Sequence, residues 1–91
     1  MAAEIKFTKG DYVFREGESA SYAYMLKDGT VSIIKSSVDG PIILSEVEPS
    51  MIFGEMALID GNPRSAAALA SSDITVTEVD RAYFLTYLAS N

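Results

Sequence analysis

Glycine and proline interrupt this 91-residue chain too often for any long regular element to fit. Gly10, Gly17, Gly29, Gly40, Gly54 and Gly61 fall 7 to 14 residues apart, and Pro41, Pro49 and Pro63 add further breaks. Short segments between regular turn signals point to an all-β barrel or sandwich. Asp11–Arg15 reads as a first strand ended by Gly17. Ser21–Lys27 follows, with Tyr22, Tyr24 and Leu26 at period two. Asp28-Gly29 marks a tight turn into a return strand, Thr30–Ser36, with Val31 and Ile33 on one face. After Asp39-Gly40-Pro41, Ile42–Glu48 is a strand expected to bury Ile42, Leu44 and Val47. Met51–Phe53 is short and apolar, and Thr75–Val79 is a β-branched strand.

Two stretches read differently. Glu55–Asp60 is a run of good helix formers between Gly54 and Gly61, enough for one or two turns. Asp80 is placed to cap a terminal helix over residues 80–90, where Tyr83, Phe84, Tyr87 and Leu88 give one apolar face. Ser65–Ala70 passes for helix on propensity, while its flanks and length suit a strand equally well.

Composition narrows the chemistry. Thirteen acids against seven bases give a net charge of -6, which argues against sequence-independent nucleic-acid binding. The absence of Cys excludes disulfides and thiolate zinc sites, and the absence of His removes the commonest metal ligand and general base. No acidic cluster has metal-ligand spacing. No apolar run approaches the roughly 18 residues of a membrane span, and the N-terminus carries no secretory signal. With 48% apolar residues the chain folds, and a single cytoplasmic domain that binds rather than catalyses is expected.

The informative segment is Phe53-Gly-Glu-Met-Ala-Leu-Ile-Asp-Gly-Asn-Pro-Arg-Ser-Ala-Ala67. Gly54 permits a sharp turn or a close backbone approach. The short helix after it offers free N–H groups, which favour an anion. Nine residues beyond Glu55, Arg64 presents a planar fork suited to phosphate oxygens, and Ser65 adds a hydroxyl. Glu55, when ionised, only accepts, which suits sugar hydroxyls. Together these describe a site for a phosphate beside a ribose. Taken alone, Arg64 reads first as a surface partner of Glu55 or Asp60, a pair worth about 0–1 kcal/mol.

FGEMALIDGNPRSAA resembles the phosphate-binding cassette of cyclic nucleotide-binding domains, F-G-E-x-A-L followed by P-R-[STA]-A. Gly10–Glu18 is similar to the family's first strand and turn, and Tyr22–Ile33 to its Y-x-L-x-x-G-x-V hairpin. The resemblance implies a mainly β fold: an eight-stranded jelly-roll β-barrel with a short cassette helix and a C-terminal helix. It places Ser65–Ala70 in a strand and turns the expectation for Arg64 to ligand. It implies that Glu55 bonds the ribose 2′-OH and that Arg64 pairs with the cyclic phosphate. Ser65 and the backbone at Gly54 and Ala66 contribute further, and Met56 and Ala57 lie in the same cradle. Val31, Ile33 and Leu44 are expected beside the purine.

The implied function is a regulatory module, without catalysis or cofactor, that senses cAMP (or cGMP). Within the family a hydroxyl residue after the cassette arginine can accompany cGMP preference, but cAMP-binding bacterial members also carry serine there, and cAMP is expected. The implied partners are the nucleotide and an effector domain or protein, with no membrane insertion. Residues 1–91 are expected to form one domain without the family's longer C-terminal lid helix. The rival expectation is a ligand-free structural or protein-interaction domain of the same fold. A cupin-like enzyme is disfavoured, because it needs His ligands.

Overall fold

A computed structural model describes residues 3–90. Met1, Ala2 and Asn91 of the expected domain lie outside the described residues. In chain order the elements are β1 (Glu4–Phe7), β2 (Tyr12–Phe14), β3 (Ala23–Asp28), β4 (Val31–Lys35), β5 (Ile42–Val47), β6 (Ile52–Phe53), α1 (Glu55–Asp60), β7 (Ala67–Ala70), β8 (Ile74–Val79) and α2 (Arg81–Ala89). The strands form two antiparallel four-stranded sheets, in the orders β1-β8-β3-β6 and β2-β7-β4-β5. Among the described residues no ladder joins one sheet to the other, so hydrogen bonding does not close the expected barrel.

The core lies between the sheets. Leu26, Val31 and Val76 are its largest fully buried side chains, with Phe14, Val47, Phe53, Ala68, Ala70 and Ile74 around them. Phe14, Tyr24 and Phe53 stack on one another with ring centroids 5.7–6.2 Å apart. These offset aromatic contacts add to the area they bury. Ala67–Ala70 pairs with β2 and β4 as a strand, and its small side chains are mostly buried. Pairing on both sides thus overrides alanine's helix propensity.

Four expectations are corrected. Glu4–Phe7, not anticipated as a strand, pairs with β8, placing Ile5 opposite Val76 and Phe7 opposite Ile74. The Asp28-Gly29 turn does not make a paired hairpin, because β3 and β4 belong to different sheets. Gly29, at φ +89°, is a corner where a Cβ would strike the Asp73 carbonyl and the Ile74 side chain. Ile42 and Leu44 are exposed rather than buried; among the described residues β5 is an edge strand that pairs with β4 alone. On α2, Phe84 alone is buried, whereas Tyr83, Tyr87 and Leu88 face out. The helix touches the rest of the fold along a strip narrower than its apolar periodicity suggests.

A second, smaller cluster joins the helices to the sheet. Leu58 of α1, Phe84 of α2, Ala23 of β3 and Val79 of β8 pack together, with Ile52 beside them. Ala23 thus faces away from Leu26, so β3 buries residues on both of its faces.

Candidate functional site

A cleft of about 290 Å³ opens beside α1, near the lower end of the usual size for small-molecule sites. Gly54, Glu55, Met56, Ala57, Arg64, Ser65 and Ala66 all line it. Two chain segments, 54–57 and 64–66, therefore meet across one cavity.

Arg64 organises that meeting. Its main chain is held on both sides: its N–H donates to the Glu18 carbonyl at 2.8 Å, and its carbonyl accepts from the Gly17 N–H at 2.8 Å. The side chain, 5% exposed, donates from Nη1 to the Gly54 carbonyl and from Nη2 to the Tyr22 carbonyl, each at 2.6 Å. The guanidinium carbon lies 3.9 Å from the centroid of the Phe14 ring, a cation–π distance. Among the described residues no carboxylate forms an ion pair with it, and its buried Nε has no hydrogen-bond partner. The surface pairing with Glu55 or Asp60 does not form.

Burial lowers the Arg64 pKa from its ordinary value, opposed by Tyr24 and Glu18, and an arginine remains charged under such conditions. A buried cation without a counter-anion is costly. Two carbonyl dipoles and an aromatic face offset part of that cost. An anion in the cleft would supply what is missing.

Gly54 is the N-cap of α1 at φ +76°, and a Cβ there would lie 2.8 Å from Arg64 Nη1 and 2.9 Å from Phe14 Cε2. Only glycine combines that left-handed backbone with so close an approach. No side chain caps the first turn of α1, so its N–H groups keep no side-chain acceptor at the cleft edge. Glu55 is half-buried there, and its carboxylate bonds no described residue. Ser65 is exposed, and its carbonyl accepts from Lys35 Nζ at 2.7 Å. The cleft lining thus includes an acidic side chain, Glu55, and a buried cation, Arg64.

The apolar wall differs from expectation. Ile33 lines the cleft, whereas Val31 points into the core and Leu44 lies outside. Phe14, Val47, Met51, Ile52 and Phe53 line it instead, together with Ser45 and Glu46. Ser45 pairs with Ile33 across β4–β5 and so shares its face. That register was the one signal that could have found it. The Tyr22 carbonyl was also missed, since no sequence pattern marks a backbone acceptor 42 positions from its donor.

Comparison with known proteins agrees with this geometry. The family model described as "Cyclic nucleotide-binding domain" matches residues 4–91. The cAMP-dependent protein kinase regulatory subunit of Aspergillus niger is 32% identical over 77 residues, covering 85% of this chain and 18% of that protein. Human cGMP-dependent protein kinase 2 is 36% identical over 81 residues, covering 86% of this chain and 11% of that protein. The chain thus spans less than a fifth of the length of these relatives. The EAL enzyme Bd1971 is 30% identical to it in both its cAMP-bound and cGMP-bound structures, with TM-scores of 0.87 and 0.88. Each superposition covers 98% of this chain and 24% of that one. With its two-sheet fold, its glycine-capped cassette helix and its buried arginine, the chain belongs to the cyclic nucleotide-binding domain family.

Proposed function

We propose that this chain is a regulatory module that binds a 3′,5′-cyclic nucleotide, cAMP in preference to cGMP, and performs no catalysis of its own. The observation that carries this reading is the buried Arg64 guanidinium in the cleft wall, with no carboxylate partner and an orphaned Nε. In it, Arg64 holds the cyclic phosphate, assisted by the Ser65 hydroxyl and the backbone N–H groups near Gly54 and Ala66. Glu55 accepts from the ribose 2′-hydroxyl. Met56 and Ala57 complete the cradle, and the base rests against Ile33 and its apolar neighbours. The strand order of the two sheets supports a double-sheet jelly roll as the scaffold.

The output is a change in the placement of α2 against the sheets, delivered to an effector domain or partner protein. A ligand moves that equilibrium only by its differential affinity for the two placements. The setting we propose is cytoplasmic, and the net charge of -6 supports a partner other than nucleic acid. No helix among the described residues is long and apolar enough to cross a membrane. With no histidine in the chain, affinity stays flat between about pH 6 and 8.

Calorimetric titration with cAMP and with cGMP tests the reading on the wild type, Arg64→Lys and Arg64→Ala. Saturable binding by the wild type, weakened in Arg64→Lys and lost in Arg64→Ala, supports it. Tighter binding of cGMP reverses the nucleotide preference. No heat with either nucleotide on a folded wild-type chain favours the ligand-free interaction domain instead.

A further inference from the structure

We infer that Arg81 is a positioning residue for the cleft: it pins the C-terminal turn of α1 to the sheet frame, and so keeps the N-terminal turn of that helix in the cleft wall. A six-residue helix does not sustain itself in water. Its last carbonyls have no partners within the helix. The Ala57 carbonyl accepts from the Gly61 N–H at 3.1 Å. The Leu58 carbonyl accepts from Arg81 Nη1 at 2.9 Å, across from the start of α2. This bond is charge-assisted, and it sets a cation at the negative end of the helix dipole. The last turn of α1 holds no basic residue of its own, so α2 supplies what the helix lacks.

The other end of this strut is fixed. Arg81 stands two residues beyond Val79, the last residue of β8, and Val79 pairs with Ala23 of β3. The Asp80 carboxylate caps α2 by accepting from the Tyr83 N–H at 2.7 Å. Beneath, Leu58 packs on Ala23, Val79 and Phe84. That apolar contact is non-directional and tolerates rotation of α1, whereas a hydrogen bond does not. The cassette helix is therefore held by two arginines, Arg64 at the Gly54 carbonyl and Arg81 at the Leu58 carbonyl. Arg81 does not line the cleft, so it acts only through α1.

The test compares the wild type with Arg81→Ala, Arg81→Gln and Arg81→Lys in two measurements. Hydrogen–deuterium exchange of the hydrogen-bonded α1 amides, residues 58–61, without nucleotide needs no assumption about the ligand. Calorimetric titration with cAMP rests on the binding reading above. In Arg81→Ala and Arg81→Gln, α1 amides exchange about tenfold faster while β3 and β8 amides keep their rates, and the Kd rises about five- to tenfold. Arg81→Lys, which keeps a charged donor but not the fork, recovers part of both.

Unchanged α1 exchange in both neutral variants overturns the inference. So does an equal acceleration in α1, β3 and β8, which marks a general stabilising role. A Kd within twofold of the wild type despite a loosened α1 overturns the link to the cleft. If the wild type binds no cyclic nucleotide, the binding reading fails, and the exchange measurement alone decides whether Arg81 pins α1.

Discussion

β3 and β5 are both six-residue strands, and each carries one leucine at its heart, yet they live in opposite environments. Leu26 in β3 is fully buried, whereas Leu44 in β5 is 55% exposed. The difference is one of neighbours. β3 is flanked by β8 and β6, lies over the core through Leu26, and meets the helices through Ala23. β5 has β4 on one side and no described strand on the other. Equal apolarity thus gives unequal burial, because hydrophobic stabilisation follows the area removed from water. The difference also divides the labour of the cleft. The Tyr22 carbonyl just ahead of β3 anchors Arg64, while the far end of β5 contributes a wall through Ser45, Glu46 and Val47.

The contrast breaks most directly at the two leucines. Leu26→Ala is expected to lower the unfolding free energy by about 2–5 kcal/mol in urea denaturation, since it empties a site that neighbours on both faces hold open. A loss under about 1 kcal/mol would mean that β3 repacks as freely as an edge. Gly54→Ala comes next. It meets both the left-handed backbone and the close approach of Arg64 and Phe14, and a cost of about 1–3 kcal/mol is expected, with a weaker grip on any cleft ligand. A stable Gly54→Ala protein with wild-type binding would show that the Arg64 side chain can yield.

Tyr24, on β3, supplies a pH test. Burial raises its pKa above the ordinary value, so the folded chain resists its ionisation. Its contribution is complete below the unfolded pKa of about 10 and declines as the pH rises through and beyond that value. Denaturation midpoints that fall more steeply above that pH in the wild type than in Tyr24→Phe would confirm it. The smallest effect belongs to β5. Leu44→Ala is expected to change stability by no more than about 0.5 kcal/mol, and a larger loss would mean that the edge is covered in solution.

Much of the candidate site was legible because its residues lie in two short local runs. Gly54 through Ala57 and Arg64 through Ala66 are short, spaced runs, and all seven residues line the same cleft. The helix over Glu55–Asp60 was legible as well, since glycine bounds it on both sides and both glycines adopt positive φ. The first strand was not. Glu4–Phe7 does alternate in burial, but only pairing with β8, some 70 residues later, gives that alternation a face to bury. Nor was the fate of Ile42, Leu44, Tyr83, Tyr87 and Leu88 legible, for a periodic apolar residue is buried only where another element covers it.

Local order is what this sequence determined by itself. Its turns, several of its short strands and its one-and-a-half-turn helix follow from neighbours within a few positions, where backbone sterics and spacing suffice. The tertiary structure decided the rest. It sent β3 and β4 into different sheets, made β5 an edge, and turned Arg64 inward onto the carbonyls of Gly54 and Tyr22 rather than outward to a surface carboxylate. Those outcomes depend on contacts between residues far apart in the chain, and a buried cation takes its partners from whatever groups the packed sheets leave within reach.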